Sequence, residues 1–215
     1  MTEIATGTRA VRLAREAVEY GLGRGRSVGD VAAPFRSVPL DPWFDEPRGV
    51  FVTFTEPADG RLRGCVGFPM PVFALRAAIP RAAWAAASED PRFPPVTRRE
   101  LDRLRLELSV LTVPERLPSG PRVAEGIVVG RDGLIVEADG ASGLLLPQVA
   151  VEQGWGAERF LSETCRKAGL PKDAGTRAAT HVRRFTAELF RERTPAGPVE
   201  AHALVPGVPA PTADP

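Results

Sequence analysis

Three Asp-Gly pairs separate short apolar runs in this chain, at positions 59–60, 132–133 and 139–140. Asp-Gly readily adopts the left-handed backbone of a two-residue turn, so each pair between apolar runs predicts a β-hairpin. The first pair joins residues 50–55 to residues 62–68. The other two predict a three-strand meander of residues 127–129, 134–136 and 144–146.

Helical periodicity occupies much of the remaining chain. Apolar residues at positions 11, 14, 18 and 22 predict a helix over 8–22, and the Ala-rich segment 71–88 predicts another. We expect the second helix to be interrupted or restarted at Pro80, because proline lacks the amide that a helix interior needs. Further expected elements are an irregular connection at 24–47, helices at 98–104, 148–153 and 158–168, and strands at 106–112 and 181–191.

Hairpins mixed with helices, without a repeating strand–helix–strand spacing, predict an α+β fold. We expect a hairpin-rich antiparallel or mixed sheet with flanking helices. The ordered domain is predicted to comprise residues 1–193, and the Pro/Ala-rich residues 194–215 are predicted to be a disordered tail.

The near-equal numbers of basic and acidic residues exclude a strong overall electrostatic field. The 28 Lys and Arg residues against 27 Asp and Glu residues leave a net charge of +1, which favours neither nucleic acid nor a membrane surface. No apolar run reaches the roughly 20 residues that span a bilayer, and Met1–Ile4 do not resemble the start of a signal peptide. Two cysteines in such a chain indicate a cytoplasmic protein with reduced thiols.

Scarce residue types restrict the chemistry further. The chain has 2 His, 2 Cys and no Asn, and His202 lies in the predicted tail, which leaves His181 for the folded body. Multi-His metal sites, Cys/His zinc sites and a Cys-His-Asn triad are therefore excluded, and we predict no metal site and no cofactor.

The most informative local segment is Leu-Arg-Gly-Cys-Val-Gly at residues 62–67. In a strand, Arg63 and Cys65 share one face at a spacing of roughly 7 Å, so the guanidinium is expected to lower the pKa of the thiol. Gly64 leaves room for a ligand or for another backbone. The alternative interpretation is that Cys65 is a small buried apolar residue and the glycine permits tight packing.

Three further polar residues are candidate contacts of such a site. Asp90 and Arg92 lie in Asp-Pro-Arg-Phe-Pro-Pro, which can present a rigid charged pair or merely end a helix. Gln148 follows Pro147 at a predicted helix start, where it can bind a ligand amide or satisfy a backbone group. Cys165 lies on the apolar stripe of its helix and is expected to belong to the core.

Six segments in this order resemble the AMMECR-one domain family, also called AmmeMemoRadiSam system protein A. They are residues 62–67, 90–96, 108–115, 130–134, 143–150 and 160–171, and the resemblance extends from about the first helix to Phe190. It departs at Val66, where the family usually has isoleucine, and at Gly175, where it commonly has tryptophan. The resemblance implies an α+β fold with a larger and a smaller subdomain around a cleft, the Leu-Arg-Gly-Cys motif near that cleft, and Memo-type and radical-SAM partner proteins.

Two functional hypotheses follow. In the first, the chain is a component of a modification system in which Cys65 is a thiolate nucleophile or carrier acting on a small molecule or RNA. Arg63 would stabilise the thiolate or an anionic substrate, and Asp90, Arg92 and Gln148 would contact the substrate in the cleft. In the second, the chain is a non-catalytic adaptor or ligand-binding module, because it lacks acid–base equipment. The sequence leaves open whether it is an enzyme.

Overall fold

A computed structural model describes residues 3–24 and 30–203 of the 215-residue chain. These residues form two compact units. The first comprises the described residues up to Val110 together with Glu188–His202, and the second is Leu111–Ala187.

The described residues contain both helices and antiparallel strands. The helices are α1 (Glu3–Gly23), α2 (Leu75–Ser88), α3 (Arg98–Leu101), α4 (Pro147–Glu152) and α5 (Ala157–Lys167). The strands are β1 (Val50–Thr55), β2 (Leu62–Phe68), β3 (Arg105–Leu111), β4 (Glu115–Arg116), β5 (Gly133–Ala138), β6 (Ala141–Leu145), β7 (His181–Phe185), β8 (Ala187–Glu192) and β9 (Val199–Ala203). The predicted α+β class is confirmed.

The first unit is built on a five-stranded sheet with the order β2-β1-β3-β8-β9. Strand β1 pairs antiparallel with both β2 and β3. Its side chains alternate, so Val50, Val52 and Phe54 are fully buried in the core that α1 and α2 share with the sheet. The predicted hairpin of residues 50–68 is confirmed, and Gly60 in its turn has φ +69°.

Helix α2 is continuous through Pro80, contrary to the expected interruption, and it begins at Leu75 rather than near residue 71. Proline removes one backbone hydrogen bond from the helix. Nearly every residue from Ala78 to Ala87 is buried, and this packing outweighs the missing bond. The preceding connection is irregular as predicted, with short 3₁₀ helices at Ala33–Phe35 and Pro42–Asp45, and residues 25–29 of it lie outside the described residues.

The second unit contains a four-stranded antiparallel sheet with the order β4-β7-β5-β6. The hairpin β5–β6 turns at Asp139 and Gly140, whose φ angles of +52° and +77° are those of the predicted Asp-Gly turn. Helix α5 packs beside this hairpin and contributes Phe160, Leu161 and Cys165 to a separate apolar core.

The predicted meander is wrong at its first strand. Residues 127–129 form a loop after a 3₁₀ helix at Val123–Gly126, and Asp132 closes this loop by accepting a hydrogen bond from the Val128 amide at 2.8 Å. The Asp132 carboxylate is thus used inside the loop, and Asp132-Gly133 does not turn a hairpin. Strand β7 takes the place beside β5 instead.

The late strand predicted at 181–191 is two strands, β7 and β8, which belong to different sheets. The predicted tail also requires correction, because residues 199–203 form β9. Arg193 stabilises the turn between β8 and β9. Its amide donates to the Pro198 carbonyl at 2.9 Å, and its side chain pairs with Glu200 at 3.0 Å. Residues 204–215 lie outside the described residues.

A buried ion pair joins distant parts of the first unit. The Arg15 guanidinium on α1 donates from Nε and Nη2 to the Glu192 carboxylate on β8, at 2.8 and 2.6 Å. The same guanidinium donates to the carbonyls of Leu101 and Leu104, and Glu192 also accepts the Leu106 amide at 2.9 Å. Arg15 is 8% exposed and Glu192 is 2% exposed, so the pair is desolvated as well as saturated with partners.

We expect Arg15→Ala to lower the free energy of unfolding by about 3–5 kcal/mol, because it leaves the Glu192 charge buried without its partner. Arg12→Ala is the matched control, since Arg12 is an exposed arginine on the same helix. Urea unfolding of both variants measures the difference. Equal stability of the two variants would show that the ion pair does not stabilise the fold.

Candidate functional site

Cys65 lies on β2, the edge strand of the first sheet, opposite Thr53 of β1. Its amide donates to Asp90 Oδ2 at 2.8 Å rather than to β1, so Cys65 and Thr53 form a non-hydrogen-bonded pair whose side chains approach closely. The Thr53 hydroxyl donates to Cys65 Sγ at 3.3 Å. The thiol is partly exposed and not in a disulfide.

Asp90 and Arg92 cover the free edge of β2 at Cys65. The Asp90 carboxylate, 5% exposed, accepts the Cys65 amide and three hydrogen bonds from the amide, Nε and Nη2 of Arg92, at 3.1, 2.9 and 2.7 Å. Because of the Arg92 hydrogen bonds above all, the pKa of Asp90 lies well below its ordinary value. Asp90 and Arg92 thus form a bonded pair that is attached to the strand carrying the thiol, and they also follow directly on the end of α2 at Ser88, so the structure fits both sequence interpretations of this segment.

The Arg63 side chain binds Glu100 rather than Cys65. The register between β1 and β2 shifts after Phe54, so that Arg63 is an extra residue in a β-bulge. Its guanidinium donates from Nε and Nη2 to Glu100 Oε1 at 3.1 and 3.0 Å. Glu100 is held in turn by Thr97 in the capping box of α3.

The structure corrects the expectation that Arg63 lowers the pKa of the Cys65 thiol. Burial raises the pKa of Cys65, the hydrogen bond from Thr53 and the charge of Arg92 lower it, and the charges of Asp90 and Glu107 raise it again. The shift is upward, so Cys65 is a neutral thiol at physiological pH. The β-bulge explains why Arg63 does not act on the thiol, because the alternation of side chains along a regular strand does not hold at Arg63.

Gly64 is explained by packing against a backbone, which was one of its two expected roles. A Cβ at Gly64 would lie 2.2 Å from the Ala86 carbonyl oxygen of α2. Gln148, the last candidate contact, is part of α4 in the second unit, and its Oε1 is buried with no hydrogen-bond partner among the described residues.

A polar row crosses all five strands of the first sheet, and the sequence interpretation missed it. We define the polar row by one residue from each strand: Cys65, Thr53, Glu107, Arg191 and Glu200. Thr53 is the cross-strand neighbour of both Cys65 and Glu107, and Arg191 lies 3.9 Å from Glu107 and 3.3 Å from Glu200. Side-chain exposures of 19% for Glu107 and 30% for Glu200 show that the row is partly open to solvent. The alternation of β1 and β3 predicts its first half, but β9 was not recognised as a strand.

The remaining scarce residues do not join this site. His181 is an exposed residue of β7 in the second unit, and Cys165 is buried in α5 of that unit. Within residues 3–24 and 30–203, no three His, Cys, Asp or Glu side chains are grouped so that they could hold a metal ion. No helix in the same residues is both long enough and apolar enough to cross a membrane.

Comparison with known proteins gives one consistent result. The sequence profile of the AMMECR1 family matches residues 11–190. The chain belongs to the AMMECR1 family. A protein of Pyrococcus furiosus is 48% identical over 204 residues, which cover 93% of this chain and 94% of that protein. A protein of Thermococcus gammatolerans is 51% identical over 203 residues and covers 93% of this chain and 96% of its own length.

The structural comparison agrees. The crystal structure of the uncharacterized protein PH0010 from Pyrococcus horikoshii matches with a TM-score of 0.83 and 47% identity, over 93% of this chain and 98% of that chain. The resemblance stated from six sequence segments is thus confirmed. A Cβ at Gly175 would lie 2.7 Å from the Leu161 side chain, so core packing leaves no room for a larger residue at this position unless Leu161 moves.

We expect Asp90→Asn to lower the free energy of unfolding at neutral pH by about 1–3 kcal/mol, through weakened hydrogen bonds to Arg92 and Cys65. The pKa of Asp90 is lowered by folding, so its contribution is complete above the ordinary aspartate pKa of about 3.9 and is lost as the pH falls below it. Urea unfolding should therefore show the gap between variant and wild type narrowing on acidification.

Glu89→Gln is the matched control for this prediction, because Glu89 is an exposed acid next to Asp90. It should leave the stability within about 0.5 kcal/mol at every pH. If the difference in unfolding free energy between Asp90→Asn and wild type stayed constant on acidification, the negative charge of Asp90 would not be the source of the stabilisation.

Proposed function

We propose that this AMMECR1-family protein is a non-catalytic binding component of a modification system, working with Memo-type and radical-SAM proteins. The polar row is the surface with which it holds a partner protein. The observation that carries this proposal is the state of Cys65: a neutral thiol whose charged neighbours already bind one another.

The charge pairing argues for binding rather than covalent chemistry. A nucleophilic cysteine needs a lowered pKa or an adjacent general base. Here Arg63 is engaged by Glu100, Arg92 is engaged by Asp90, and burial dominates the pKa of the thiol.

The polar row has the features of a surface that recognises a partner. Its charges alternate in sign across β3, β8 and β9, and its Thr53–Cys65 end is uncharged. Complementary charges on a partner would fix the docking register, while the small side chains of Thr53 and Cys65 allow close approach. Membership of the AMMECR1 family supports the choice of Memo-type and radical-SAM proteins as partners, because the resemblance implies them.

Thiol chemistry at Cys65 on a small molecule or RNA is the second candidate. It is favoured by the Thr53 hydroxyl, which donates to Sγ, and by the charge of Arg92, since both lower the pKa of the thiol. A substrate that brought its own positive charge to the polar row would strengthen the same effect.

Alkylation distinguishes the two candidates. In a Cys165→Ala background, which leaves Cys65 as the single thiol, we expect iodoacetamide to react with a midpoint above the value of a free thiol, about 8.5. Mass spectrometry of the protein across neutral and alkaline pH measures the rate, and glutathione in the same mixture serves as the reference. A midpoint at or below that of glutathione would favour the nucleophile.

Substitutions in the polar row test the binding surface directly. We expect Thr53→Arg to weaken binding of the Memo-type or radical-SAM partner by at least about tenfold, because the larger charged side chain blocks close approach. Cys65→Ala should keep both binding and the activity of the complete system. Thr176→Arg, at an exposed position of the second unit, is the matched control.

Affinity can be measured by titration calorimetry with separately purified partners. Circular dichroism confirms that the variants are folded. If Cys65→Ala retained partner binding but the complete system lost turnover, the result would favour an enzyme that uses Cys65 over a non-catalytic binding component. Equal binding of Thr53→Arg and wild type would exclude the polar row as the docking surface.

A further inference from the structure

A pocket of about 730 Å³ lies at the end of the first sheet where several turns meet. It is formed by the β1–β2 turn at residues 56–58, the link between α3 and β3 at residues 102–104, and Pro195 from the β8–β9 turn. This volume falls within the range of small-molecule sites, roughly 300–1,000 Å³. The pocket belongs wholly to the first unit.

The walls of the pocket combine apolar surface with two arginines. Pro57, Ala58, Leu104 and Pro195 supply rigid apolar contacts, whereas Arg63 and Arg103 supply hydrogen-bond donors. Pockets of this composition bind molecules that have an apolar body and a few polar groups.

Arg63 has donor capacity to spare. Its side chain is 10% exposed, and its Nε and Nη2 bind Glu100, whereas Nη1 has no hydrogen-bond partner in the described part of the chain. Arg103 is an exposed lining residue and has no ion-pair partner within the same residues. A guanidinium is a strong donor to carboxylates, so both groups favour an anionic ligand atom.

The acidic residues of the lining limit the charge of that ligand. Glu100 is bound by Arg63, Glu56 is bound by Arg61 at 2.9 Å, and the exposed Asp102 lies 4.0 Å from Arg98. Their negative charges remain close to the pocket and would repel a dianion such as a phosphate monoester. A ligand with a single negative charge experiences about half of this repulsion.

We infer that this pocket binds a small organic monocarboxylate. Its apolar body packs against the prolines and Leu104, and its carboxylate accepts hydrogen bonds from Nη1 of Arg63 and from Arg103. Arg63 of the Leu-Arg-Gly-Cys motif is then a ligand-binding residue at the end of the sheet, distinct from the Cys65 surface. The inference does not rest on the proposed function, because it involves no partner protein and no thiol.

Two probes of the same shape and different charge test the carboxylate. Phenylacetate is titrated into the ¹⁵N-labelled full chain, and the neutral phenylacetamide is titrated in parallel. We expect phenylacetate to shift the amide resonances of Ala58, Arg103 and Leu104 saturably, with an affinity at least about tenfold above that of the amide. Absence of saturable shifts at these amides, or equal affinity for the two probes, would overturn the inference.

Arg103→Gln tests the contribution of Arg103 to ligand binding and leaves the Arg63–Glu100 pair intact. We expect it to weaken phenylacetate binding about tenfold, which corresponds to a lost charged hydrogen bond. Arg99→Gln is the matched control, since Arg99 is an exposed arginine of α3 that does not line the pocket. An equal effect of both variants would indicate nonspecific attraction of the anion and would also overturn the site.

Discussion

The first unit depends on the buried ion pair between Arg15 and Glu192. These residues are separated by 177 positions, and their contact links the first helix to the strand that returns from the second unit. The pair also binds the backbone between α3 and β3, so it fixes where β3 begins. A desolvated charge is tolerated only when its partners are complete, and here the partners come from three parts of the unit: α1, the segment 101–106 and the end of β8. The cluster therefore connects the neighbouring strands β3 and β8 to helix α1.

The same rule of paired charge governs the candidate site. Asp90 is buried, and it is stable as a carboxylate because Arg92 and the Cys65 amide supply four hydrogen bonds. The segment after α2 is consequently fastened to the edge of β2, which would otherwise expose unpaired backbone groups. The thiol of Cys65 lies beside these hydrogen bonds. Its thiolate form gains little net stabilisation, because burial raises the pKa of the thiol. The Leu-Arg-Gly-Cys motif therefore has the features of a rigid binding surface and lacks those of an activated nucleophile.

Local patterns predicted what local interactions determine. The hairpins at Asp59-Gly60 and Asp139-Gly140, helices α1 and α5, and the Asp90–Arg92 pair all arise from residues near one another in the sequence. The errors arose where a distant or competing interaction decided the outcome. Asp132 closes a loop through its side chain, and the packing of α2 compensates for the hydrogen bond that Pro80 lacks. Strand β9 is stabilised by ion pairs of Glu200 with Arg191 in β8 and with Arg193 just after it. The polar row was missed for the same reason, because a row across five strands appears only when the strand order is known.

The bulge at Arg63 shows how one short motif can serve two places. Regular alternation would direct Arg63 and Cys65 to one face, where the guanidinium would act on the thiol. The extra residue breaks that alternation, and the backbone at Gly64 can then approach the Ala86 carbonyl of α2. Arg63 is bonded to Glu100 and lines the pocket at the end of the sheet, whereas Cys65 remains in the polar row beside Thr53. Arg63 and Cys65 are only two positions apart in the sequence, but the bulge separates their side chains. As a result the thiol lacks a stabilising guanidinium from Arg63, and Arg63 is available as a donor to the pocket.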